Sequence, residues 1–108
     1  LTMVRYLVEA DGTRVVTLDD PARVDDVLRE EQPALLLMDV QMHEHDGTSI
    51  VRRLRTRPEL AELPVVLFST EVDAAVRQRA YEAGADEFLP KPIVAPELRA
   101  RIRARLER

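Results

Sequence analysis

The chain has 108 residues, 45% apolar and 33% charged, the size and mix of one ordinary globular domain. A formal net charge of −4 argues against general nucleic-acid binding by this segment, and the lack of cysteine excludes a disulfide framework, a thiolate metal site and a cysteine nucleophile. No apolar run reaches the length of a membrane span and no signal peptide is visible, so no membrane contact is expected, and the lack of cysteine fits a reducing compartment.

The opening segment LTMVRYLVEADG reads in two ways. It can be the end of a helix with Met3, Leu7 and Tyr6 inward, or a strand in a hairpin with RVVTL across Asp11-Gly12. The helix is favoured, because a tight hairpin would put antiparallel pairing into a pattern that otherwise reads as parallel. RVVTL, Arg14 to Leu18, is a short strand. Asp20 and Pro21 offer an N-cap and a first-turn proline for a helix with Val24, Val27 and Leu28 on its apolar face, stopping before Pro33. Ala34 to Met38 is nearly continuously apolar, as is Val65 to Phe68 behind Pro64. Strands covered by helices on both faces read this way.

Between those strands Thr48 or Ser49 can cap a helix with Ile50, Val51 and Leu54 inward and Arg52, Arg53 and Arg55 outward, and Pro58 ends it or starts a loop. Asp73 can cap a helix through Ala83, with Gly84 as its terminator. EFL, Glu87 to Leu89, fits a brief fourth strand. The last helix begins near Pro96 and repeats Leu98, Ile102 and Leu106 against five arginines from Arg99 to Arg108. A solvated face explains those arginines more simply than an anionic partner does. Strands alternating with helices argue for βα units and a parallel sheet.

In such a sheet ligands bind outside the carboxyl ends of the strands. Asp39 ends the Leu35–Met38 run, Ser69 followed by Thr70 ends the Val65–Phe68 run, and Lys91 follows EFL after one proline. Taken singly these are a loop acid, a cap and a surface lysine. Together they are coherent. A carboxylate can attack phosphorus to form an aspartyl phosphate, and phosphoryl transfer needs positive charge and donors around the equatorial oxygens.

PALLLMDVQMHEHDG, LPVVLFST and AYEAGADEFLPKPI together resemble the receiver domain of bacterial two-component response regulators, in order and over nearly the whole chain. The resemblance implies a flavodoxin-like, doubly wound parallel α/β sheet of order 2-1-3-4-5 with helices on both faces. It implies that Asp39 is the phosphoacceptor, that Ser69, Thr70 and Lys91 contact the phosphoryl group, and that Ser69 and Phe88 form the switch. Mg²⁺ would be held by Asp39 and the main-chain carbonyl of Gln41, and the Lys91-Pro92 bond would be cis. A sensor histidine kinase or a phosphotransfer protein would be the phosphodonor. The chain would catalyse only its own phosphoryl transfer and dephosphorylation. A homodimer could form through the last two helices and last strand, with Asp86, Glu87, Glu97 and Arg101 on that face.

Against the family pattern, His43 stands where proline is usual and Thr70 where a small residue is usual. Asp39 has too few residues before it for the family's first strand and its acidic metal-binding pair. A sheet without that strand would carry a costly slot of unpaired backbone groups, so residues 1–108 are expected to be an N-terminally incomplete receiver domain, truncated or completed by another chain, with no output domain present. Alternatively Glu9 and Asp11 stand in for the acidic pair, with residues 1–8 as the first strand.

Two rivals remain. His43, His45 and Asp46 suggest a metallohydrolase, but the chain has only two histidines and such sites need more ligands. A pseudo-receiver would share the fold and act only as a docking or dimerisation module, without phosphorylation.

Overall fold

The structure, a computed structural model, describes residues 15–18, 21–42, 45–71, 73–92 and 95–106. Asp20, the opening segment with Glu9 and Asp11, and His43 lie outside the described residues. Among those described, four parallel strands form one sheet: β1 (Val15–Leu18), β2 (Leu35–Asp39), β5 (Val65–Ser69) and β6 (Glu87–Pro90), in that spatial order. Between β2 and α2 (Gly47–Arg55), the short strands β3 (Gln41–Met42) and β4 (His45–Asp46) pair antiparallel, where the sequence suggested only a loop.

α1 (Val24–Glu31), α2 and α3 (Ala74–Ala83) connect successive parallel strands. Right-handed crossovers between strands laid down in sequential order must put all three on one face. The packing agrees. Val16, Leu36, Met38, Val65, Leu67 and Phe88 share a core with Val24 and Leu28 of α1, Ile50, Val51 and Leu54 of α2, and Val76, Ala80 and Ala83 of α3. The alternate residues Val15, Leu35, Leu37, Val66, Phe68 and Leu89 pack with Leu98, Ile102 and Leu106 of α4 (Ala95–Leu106) on the other face. This is the flavodoxin-like arrangement of a parallel sheet clothed on both sides.

The slot that loss of the first strand would leave is closed here. β1 pairs directly with β2, Val15 opposite Leu35 through Leu18 opposite Met38. Direct pairing gives the facing N–H and C=O groups partners, where a gap would orphan them. Among the described residues the four strands stand in sequential order, as 2-1-3-4-5 would leave them without its first strand.

Local chemistry sets the helix ends. Gln32, in the left-handed region at φ 45°, closes α1 with its N–H on the Leu28 carbonyl (3.0 Å). Asp73 accepts the Val76 N–H at 2.9 Å to start α3, and Gly84 at φ 111° ends it. α2 departs from expectation: its N-cap is Asp46, not Thr48 or Ser49, and Asp46 accepts both the Thr48 N–H (2.9 Å) and the Thr48 hydroxyl (2.8 Å).

Arg55, expected outward, is also placed differently. Its guanidinium reaches the carbonyls of Gly84 (2.8 Å), Leu60 (3.0 Å) and Leu63 (2.7 Å) and the Asp86 carboxylate (3.0 Å). Asp86 in turn accepts the Val65 N–H at 2.8 Å. One side chain thus ties the end of α2 to the starts of β5 and β6. Arg55→Ala would orphan these acceptors and is expected to cost about 2–3 kcal/mol in urea denaturation, against less than about 0.5 kcal/mol for the exposed neighbour Arg52→Ala.

Candidate functional site

Parallel registry brings the functional side chains together. Asp39 lies opposite Phe68, and Ser69 opposite Pro90, so β2, β5 and β6 end along one edge of the sheet. The Lys91 N–H extends the ladder by donating to the Ser69 carbonyl at 2.8 Å, and the Lys91–Pro92 peptide is cis. The side chains of Asp39 and Lys91 are 14% and 30% exposed, inside the cleft yet open to a ligand.

One carboxylate oxygen of Asp39, Oδ1, accepts the Gln41 N–H at 2.9 Å, and the other, Oδ2, pairs with the Lys91 ammonium. The ammonium also lies 4.9 Å from the centroid of the Phe68 ring. Ser69 is buried, and its hydroxyl oxygen accepts the Glu71 N–H at 3.0 Å, a bond that leaves the hydroxyl hydrogen for another acceptor. Thr70 is exposed beside it. Across the mouth, the Gln41 side-chain amide donates to the Glu71 carboxylate. The arrangement presents a carboxylate, a lysine ammonium and a backbone donor at one point, equipment suited to binding and transferring an anionic group.

Phe88 sits lower on β6, buried against α3, with the Arg77 guanidinium 5.5 Å from its ring centroid. Its N–H donates to the Tyr81 hydroxyl at 3.2 Å. Of the four residues expected on a dimer face, Asp86 and Glu87 are committed within the chain. Asp86 serves Arg55 and Val65, while Glu87 accepts from Arg105 at 2.8 Å and has Arg101 at 3.8 Å. The hydrogen bond to Glu87 holds the Arg105 guanidinium above its ordinary pKa against a smaller opposing effect of burial. Glu97 and Arg101 are exposed, 3.8 Å apart one turn along α4.

Sequence reasoning missed Gly47 as a site residue. Its N–H donates to the Val40 carbonyl at 2.5 Å, and an added Cβ would lie 2.6 Å from the Asp39 carbonyl oxygen. Only a residue without a side chain lets α2 start so close to the end of β2. The Asp46-Gly47 dipeptide, a general turn signal, is the cue that could have drawn attention to it. Asp46, once a candidate metal ligand, is occupied as the α2 cap, and the described residues contain no group of three or more His, Asp or Glu that could hold a metal.

The model of the response regulator receiver domain matches residues 1–103. The chain belongs to that family. Over 106 residues it is 36% identical to the phosphate regulon transcriptional regulatory protein PhoB of Rhizobium meliloti, covering 98% of this chain and 47% of PhoB. It is 38% identical over 102 residues to the cyclic di-GMP phosphodiesterase response regulator RpfG of Xanthomonas campestris, covering 93% of this chain and 27% of RpfG. Its fold superposes with TM-score 0.82 at 25% identity on the BeF3-activated N-terminal receiver domain of Klebsiella pneumoniae RstA, covering 99% of this chain and 89% of that one. The chain spans about half the length of PhoB and less of RpfG. Among the described residues of this receiver domain, no helix is long and apolar enough to cross a membrane.

Gly47→Ala is expected to push α2 off the end of β2, at a cost of about 2–3 kcal/mol by chemical denaturation. Amide resonances of Val40, Gln41 and Thr48 should shift more than those of the sheet interior. Unchanged stability would show that the close approach carries no constraint.

Proposed function

We propose that this receiver domain is a cytoplasmic signalling switch in which Asp39 accepts a phosphoryl group from a sensor histidine kinase or a phosphotransfer protein. The observation that carries this reading is the convergence of the Asp39 carboxylate and the Lys91 ammonium at the carboxyl edge, with Ser69 ending the strand between them. A carboxylate oxygen of Asp39 forms the new P–O bond as the bond from phosphorus to the donor breaks and the donor leaves with its electron pair. Lys91 loses its carboxylate partner at that moment. Its ammonium, a point charge on a flexible stem, then follows the phosphoryl oxygens. The Ser69 hydroxyl, with its hydrogen available, is the donor on the adjacent strand end, and Thr70 is next to it.

The family implies Mg²⁺, with Asp39 and the Gln41 carbonyl as its ligands from this chain. Hard divalent cations take six or more oxygen ligands. The described residues contain no group of three or more His, Asp or Glu that could hold a metal, so they do not complete such a site, and no step here runs through the metal.

Once Asp39 is phosphorylated, the added charge draws Ser69 inward and Phe88 follows into the space behind it, altering the face formed by α3, β6 and α4. Glu97 and Arg101 of α4, both exposed, would take part in a homodimer formed through that face. The domain then catalyses only its own phosphoryl transfer and dephosphorylation, and any further activity or DNA binding resides in an output domain of the full protein.

Incubation with acetyl phosphate and Mg²⁺ tests this reading. Asp39→Asn should take up no label while unfolding at the same urea concentration as the parent. Lys91→Ala should fold normally, label about tenfold or more slowly, and show no change in sedimentation on labelling. Full-rate labelling of Asp39→Asn, or phosphorylation-dependent dimerisation in Lys91→Ala, would contradict the mechanism.

A further inference from the structure

The Lys91 ammonium has two partners of different kinds, the Asp39 carboxylate and the face of the Phe68 ring at 4.9 Å. A ring's negative face attracts a cation, and the attraction grows as water is removed. Phe68 meets that condition: it is 7% exposed and fixed by packing with Leu37, Leu89 and Leu98 in the α4-side core. Its neighbour Ser69 accepts the Lys91 N–H, so the lysine's main chain and its charged end are both held against β5.

We infer that Phe68 is a positioning residue that holds the Lys91 ammonium over Asp39. A lysine stem has many rotamers, most of which would carry the charge into solvent. The ring favours those rotamers that keep the charge in the cleft, yet its attraction is spread over the whole ring face and is weaker than that of an anion. Lys91 is therefore retained without being locked to the carboxylate, and can move outward when Asp39 becomes an acyl phosphate. Phe68 touches neither donor nor phosphorus and acts through Lys91 alone. The contact itself stands apart from the phosphoacceptor reading, while its effect on rate rests on it.

The test keeps the shape of the residue and changes only the charge distribution of its ring. Site-specific replacement of Phe68 by 4-fluoro-, 3,4,5-trifluoro- and pentafluorophenylalanine progressively removes the negative face. In the parent chain, the Lys91 ε-methylene protons should be shifted upfield by the ring, and they should return toward ordinary lysine values along the series. The rate of labelling by acetyl phosphate should fall stepwise, by about fivefold at the pentafluoro ring, with the urea midpoint unchanged. Phe68→Leu should give the same loss of rate. Unshifted ε-methylene protons in the parent, or a labelling rate constant across the series, would overturn the role of Phe68. A parent chain that took no label at all would sink the phosphoacceptor reading, and the NMR series would still decide whether Phe68 holds Lys91.

Discussion

Everything at the site depends on β2 being buried on both faces. Leu35, Leu36, Leu37 and Met38 have no exposed surface, and each such side chain contributes about 1.5–3 kcal/mol by leaving water. A one-residue slip of this strand would exchange its two faces, so its register is strongly specified. With the register set, Asp39 can only emerge at the carboxyl edge, opposite Phe68, where β5 and β6 deliver Ser69 and Lys91. The apolar run is thus the device that places a charged group, and the carboxylate is reachable because the strand stops there.

The two ends of the sheet have different tasks. At the carboxyl edge, few and adjustable contacts hold the charges: one ion pair, one backbone donor and one aromatic face. At the opposite edge, the half-buried Arg55 joins α2, the 58–63 turn and the starts of β5 and β6 with hydrogen bonds to carbonyls and a carboxylate. Rigid anchoring at one edge leaves the other free to change partners without loss of the fold. β6 links both, since Lys91 follows its end while Glu87 at its start grips Arg105 near the end of α4.

Much of this was legible in the sequence where the physics is local. Doubly buried strands read as unbroken apolar runs, and Asp73 and Gly84 mark the ends of α3 through cap chemistry that involves only their neighbours. The trio Asp39, Ser69 and Lys91 was found because parallel sheets put strand ends on one edge. What stayed hidden depends on residues far apart in the chain. Helical-face reading judged Arg55 against its own helix, whereas its acceptors come from residues 60, 63, 84 and 86. Phe68 looked like one more core residue until Lys91 arrived beside it. Asp86 and Glu87 carry the charge of surface residues but are consumed inside the fold. The direct pairing of β1 with β2 was not legible either, because it depends on two strands far apart in the chain satisfying each other's backbone groups.

The central claim is that the carboxylate at the end of β2 is the one that takes the phosphoryl group. Borohydride reduction of the chain after acetyl phosphate treatment converts an aspartyl phosphate into homoserine, which peptide mass spectrometry can locate. Homoserine is expected at position 39 and at no other carboxylate. Reduction at Asp46, Glu71 or another acid, or no reduction anywhere under conditions that label other receiver domains, would contradict that claim.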